Sequence, residues 1–235
     1  MELRTLSSFL ALLLCAVTAH ATQATAPVLA DLDPDNDDLV APPSPVEACE
    51  EKLRAAGVEF RSAQLKVSPA NAEHPTCGVG QAVVYRGGPQ KIRYNSPPLL
   101  SCAMALGLAR FEQALSEEGP RHLGQRIVRI EHGGTYNCRK MARFALVSEH
   151  SYANAIDIKS VTLANGRKLT VLGTFGKLDV EPTSAEARFW RAVTRRMYDE
   201  GAFSVVITPF FDALHKDHIH LDQARYRVDG SRPAP

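Results

Sequence analysis

The amino-acid sequence predicts one α+β domain, a central antiparallel sheet flanked by helices, over residues 47–228. Three observations carry this. Short runs rich in β-branched residues, such as QAVVYR and FSVVIT, read as strands. Two longer stretches repeat their apolar residues at helical spacing. Asn165-Gly166, set between two strand-like runs, is a strong hairpin signal and favours antiparallel neighbours.

From the N-terminus, MELRTLSSFLALLLCAVTAHATQ has a short polar start with Arg4, then an apolar run from about Phe9 to Val17. Ala19-His20-Ala21 fits the small-x-small cleavage rule, so residues 1–21 read as a signal peptide cleaved after Ala21. The run is too short for a comfortable permanent span, although a retained anchor is the rival reading. Residues 22–46 form an acidic, Pro-rich linker with little to bury. Its DLDPDNDD imitates a calcium loop, but Asn36 stands where glycine is needed and Pro42 where the bidentate glutamate belongs.

Within the body, residues 47–56 predict a short helix ended by Gly57. Residues 99–115 predict a second, with Leu106, Leu108, Phe111 and Leu115 on its apolar spacing. Thr183 and Glu186 fit a capping box opening a third helix, which stops at Gly201. Trp190, Val193 and Met197 give that helix a core stripe. Strands are expected at 81–86, 125–130, 155–163, 168–173, 203–208 and 219–223, and a flexible tail over 229–235. The chain has no internal repeat, Rossmann fingerprint or P-loop.

The formal net charge of +1 hides a split. Residues 22–48 hold five aspartates and one glutamate without a lysine or arginine, whereas from Cys49 onward there are 26 basic and 19 acidic residues. That balance suits an anionic polymer, cell-wall material or nucleic acid, without choosing between them. Removal of the signal leaves Cys49, Cys77, Cys102 and Cys138. An even number after export predicts two disulfides, in any of three connectivities. No CxxC pair is present, which argues against a four-cysteine zinc site. A catalytic thiol at Cys138, activated by Arg139, is the alternative.

HKDHIH, residues 215–220, concentrates three of the eight histidines. His218 and His220 are two apart on an expected strand, so both face one way; one can bind metal while the other handles a proton. Upstream, SEHSYANAID holds His150 and Asp157. Two imidazoles and a carboxylate make a common three-ligand set for catalytic zinc, with a fourth position left for water. Two rivals stand beside this reading: a closed structural zinc clamp, and a Ser-His-Asp triad built on Ser148 or Ser151, for which no GxSxG is present. His74 and His122 read as surface residues, and His132 as a candidate for the cleft wall.

SEHSYANAID resembles the SxHxxGxAxD signature of the zinc D-Ala-D-Ala peptidases of the M15 group. HKDHIH resembles the HxxHxH ending of the penicillin-insensitive murein endopeptidases. YNCRK followed by SEH is most similar to the extensin-like C-terminal domain branch. The resemblance covers residues 136–157 and 213–222 most closely and implies a hedgehog/DD-peptidase-like fold. It implies one Zn²⁺ per chain, held by His150, Asp157 and His220, with His218 as the catalytic proton carrier. His215 at the site mouth and Arg139 would bind substrate, with Ser148 in support by hydrogen bonding. The activity implied is a murein endopeptidase (DD- or LD-) or a D,D-carboxypeptidase, and the rival is a non-catalytic module that binds wall peptides. The expected partner is the peptidoglycan stem peptide, with no nucleic acid and no permanent membrane span, after secretion across the inner membrane into the periplasm. Ala153 departs from the signature's glycine; a positive φ there would strain it. A single PPSP and no Ser-Pro repeat argue against a fibrous wall glycoprotein.

Overall fold

The computed structural model describes residues 46–71 and 74–233. The expected signal peptide, the linker up to residue 45 with its calcium-loop imitation, and the last two residues of the expected tail lie outside the described residues.

The chain opens with α1 (Val46–Ala55), which ends at Gly57 with φ at +68°. A long hairpin follows, β1 (Glu59–Ser68) against β2 (Cys77–Gly87). Then come β3 (Arg93–Tyr94), β4 (Leu99–Leu100), α2 (Cys102–Leu123), β5 (Ile127–His132), β6 (Ala155–Leu163) and β7 (Lys168–Thr170). The short α3 (Val171–Thr174), α4 (Ala185–Asp199), β8 (Val205–Ile207), β9 (Ile219–Asp222) and β10 (Val228–Gly230) complete it.

The strands form two sheets. A three-stranded sheet runs β1-β2-β4; a seven-stranded one runs β10-β8-β9-β6-β5-β3, with β7 paired to β6. Pairing is antiparallel in the centre and parallel at both margins, where β10 joins β8 and β3 joins β5. β6 occupies the 155–163 expected, and Gly166 at φ +85° closes the hairpin to β7. The large sheet buries Ile130, Ile156, Ile158, Val206, Ile219 and Leu221 in one core with Leu108 and Phe111 of α2 and Trp190, Val193 and Met197 of α4. One face of the sheet is thereby apolar and covered, and the alternation of strand side chains leaves the other for chemistry.

Four local expectations are corrected. The second helix starts at Cys102 because Leu99 and Leu100 pair with β2 and the Ser101 hydroxyl caps Met104 N. It runs on to Leu123 because Pro120, in the last turn, removes only one late bond. Ser184, not Thr183, caps α4, accepting from Ala187 N, and Glu186 pairs instead with Arg167. The run 168–173 is strand only to Thr170, whose side chain caps the turn of α3. Residue 229 does not begin a tail: Asp229 and Gly230 lie in β10, paired with Val206 and Ile207.

The disulfides are Cys49–Cys102, tying α1 to the start of α2, and Cys77–Cys138, tying β2 to the YNCRK loop. Cys138 is therefore not a free thiol. Among the described residues, no helix is long and apolar enough to cross a membrane.

Candidate metal centre

Asp157 of β6 stands directly opposite His220 of β9, with Ile156 opposite Leu221 and Ile158 opposite Ile219. The isoleucines and Leu221 point into the core, so Asp157 and His220 emerge together on the open face. Asp157 Oδ1 lies 3.0 Å from His220 Nδ1 and 3.2 Å from His150 Nε2. One donor atom from each residue falls within 4.8 Å of the other two.

His150 arrives from a 3-10 turn, Glu149–Tyr152, and is 3% exposed. Ser151 fixes this turn to the arginine loop: its hydroxyl accepts from Arg139 N at 3.0 Å and lies within donating distance of the Asn137 and Arg139 carbonyls. Asn137 N also donates to the His150 carbonyl, and Ser148 N to the Arg139 carbonyl. The turn closes on Ala153, which is fully buried with φ +52° and ψ +28°. The departure from glycine thus falls at a true left-handed position, and the chain carries the strain there.

The donor set fits a divalent cation. Burial opposes charge on His220, yet hydrogen bonds to Asp157 and Asp222 outweigh it and push its pKa up to about 10. Burial would likewise raise Asp157, but His150 and His220 hold its carboxyl well below the usual range. Two carboxylates and a second imidazole converge on His220, surroundings that favour positive charge. Two imidazole nitrogens and a carboxylate oxygen are the ligand types zinc takes.

Asp157 and His220 border a cleft of about 430 Å³. Arg139, Lys140 and Arg143 make one basic rim, while Met141, Phe144, Phe211 and Leu214 supply apolar surface. The family described as extensin-like protein C-terminus matches residues 47–232. The chain belongs to this family. Searches of curated proteins and of solved structures returned no match.

In this extensin-like domain every expected site residue borders the cleft except His150, which reaches the cluster from behind Asp157. His218 immediately precedes β9; its Nδ1 pairs with Asp217 at 2.9 Å and its Nε2 lies 3.8 Å from Asp157 Oδ1. The His215 ring lies 5.0 Å from that of His218 and is tilted 51° to it, with Nδ1 held by Asp212 at 2.7 Å. Burial depresses its pKa against the pull of Asp212. Arg139 is exposed, and its guanidinium donates to the Lys140 carbonyl. Ser148 is buried beside the cleft, but its side chain makes no cap bond, and Ser151 does the bracing expected of it. His132 does not line this cleft: its ring contacts Ser96 and Tyr94. His122 is half-buried and pairs with Glu118, whereas His74 is exposed.

Two acidic residues escaped the sequence reading. Asp222 is buried with Oδ2 2.9 Å from His220 Nε2, and the signal was present in IHLD, where residues 220 and 222 share a strand face. Glu149 is buried beside it; burial first, then the Asp222 charge, pushes its pKa up to about 8, against a hydrogen bond from Asn154. Nothing in the sequence around Glu149 marks it as buried.

Proposed function

We propose that this extensin-like domain is a zinc-dependent peptidoglycan hydrolase that cleaves peptide cross-links, as a DD- or LD-endopeptidase. The observation that carries the reading is the convergence of His150, Asp157 and His220 within 4.8 Å at a cleft that also presents His218 and His215. The motif resemblance supports the wall peptide as substrate, and two disulfides support an oxidising compartment, the periplasm.

His150, Asp157 and His220 would hold the zinc. The ion supplies Lewis acidity, acidifying water and polarising a carbonyl. The chain's own residues do the rest. His218, its Nδ1 fixed by Asp217, takes the proton of the attacking water at Nε2 and delivers it to the leaving amine. Arg139 and His215, at the mouth, face the developing charge on the carbonyl oxygen. Water adds to the carbonyl carbon, the C–N bond breaks, and a carboxylate and an amine leave.

The test is digestion of purified sacculi by the chain from residue 22, with and without chelator, with fragments read by mass. Chelator-sensitive loss of cross-linked dimers supports the endopeptidase. Loss of terminal D-Ala alone converts the reading to a D,D-carboxypeptidase, and no change with zinc-loaded protein reduces it to a binding module.

A further inference from the structure

We infer that Asp222 is the positioning residue of this centre: its carboxylate holds the His220 ring in the one tautomer that turns a bare Nδ1 toward Asp157 and His150. The inference rests on the zinc reading of the site and goes beyond its ligand set.

Asp222 is 2% exposed, and each carboxylate oxygen has a separate partner. Oδ2 lies 2.9 Å from His220 Nε2, and Oδ1 accepts the Ala224 N–H at 3.0 Å. The backbone beneath is fixed on both sides, since Asp222 pairs with Ala155 of β6 and Val205 of β8, and its carbonyl accepts from Ser204 N. Both carboxylate oxygens are thereby committed.

A neutral imidazole carries one N–H, and a carboxylate can only accept. With zinc held, Nδ1 is the ligand atom and carries no proton, so the ring's one N–H lies at Nε2 and Asp222 accepts it; without the ion, Asp157, a carboxylate 3.0 Å from Nδ1, competes for that proton. Ligating histidines commonly depend on such a partner for ring orientation and basicity. Glu149 is not an equivalent partner, because its Oε2 already accepts from Asn154 Nδ2 at 2.6 Å.

Two acceptors are needed at this position and an amide supplies one. In Asp222→Asn, the orientation that keeps the Ala224 bond points an NH₂ at Nε2. That favours the opposite tautomer, with a proton on Nδ1 where the ion belongs. The reversed orientation restores the ring but sets NH₂ against the Ala224 N–H. Either way the metal loses affinity in a chain of nearly unchanged shape.

The experiment measures zinc affinity of the chain from residue 22 by competition with a chromophoric chelator, for wild type and Asp222→Asn. Thermal unfolding in excess chelator reports the metal-free fold. The expected result is a 10- to 100-fold loss of zinc affinity with a metal-free unfolding midpoint near that of wild type. The absorption spectrum of the cobalt-substituted variant should shift with it. Wild-type affinity in Asp222→Asn, with an unchanged cobalt spectrum, would overturn the inference. Should the variant fail to fold, nitrogen NMR of His220 in zinc-loaded wild type decides: a proton on Nε2 upholds the assignment and a proton on Nδ1 ends it. Wild-type protein that takes up no zinc defeats the zinc reading itself, a result distinct from tight wild-type binding that Asp222→Asn shares.

Discussion

His220 sits across the β6–β9 ladder from Asp157, with Nδ1 3.0 Å from Oδ1, although 63 residues separate them in the chain. His218 reaches the same carboxylate only at 3.8 Å and lies outside the three-donor group. The two histidines therefore respond differently to removal. His220→Ala is expected to lose stoichiometric zinc. His218→Ala is expected to keep it and lose turnover by roughly 10²- to 10⁴-fold, the range for a proton-transferring side chain. Metal content beside sacculus digestion separates them; normal turnover in His218→Ala would refute its role.

Ala153 holds a left-handed conformation in a fully buried position. Glycine there relieves strain but gives up a packed methyl and gains freedom in the unfolded chain, so Ala153→Gly should stay within about 1 kcal/mol of wild type. A β-branched side chain has neither the backbone preference nor the space, and Ala153→Val should cost about 2 kcal/mol or more. Urea unfolding measures both. A valine variant as stable as wild type would show that the turn relaxes freely.

The Cys77–Cys138 bond spans 61 residues and anchors the loop that carries Arg139. Replacing both cysteines by serine should cost about 2–4 kcal/mol, by releasing a long closed loop in the unfolded chain. Amide exchange over residues 137–147 should accelerate as well. Unchanged protection there would mean that Ser151 alone suffices to hold the loop.

Glu112 is fully buried and accepts hydrogen bonds from the hydroxyls of Tyr85 (2.9 Å) and Tyr94 (2.7 Å). Burial raises its carboxyl pKa, more than the tyrosine bonds lower it. The folded chain thus keeps a proton that the unfolded chain releases near pH 4.3. Its contribution is complete below that value and is lost as pH rises through the folded one. Glu112→Gln should gain on wild type between pH 4 and pH 8. Urea midpoints at both pH values give the sign, and a gap that narrows with pH would contradict it.

The most legible parts of the fold were those whose pattern a single neighbour decides. β6 could be read to the residue because apolar and polar positions alternate along it, and the α4 stripe because its period is helical. β1 was missed: most of its residues are exposed on both faces, so no alternation marks it. Val171–Gly173 reads as strand by composition, yet it opens a short helix capped by the Thr170 side chain. At the site, the histidines and Asp157 stood out by type and spacing. Asp222 and Ser151 did not, because ordinary residues become important there through partners on other segments.

The donors at residues 150, 157 and 220 also impose an order in time. A ribosome-bound or truncated chain that has not yet added β9 possesses at most two of the three. The cluster comes into being only when the late strand slots in beside β6, so on the zinc reading an ion would be taken up by a finished sheet.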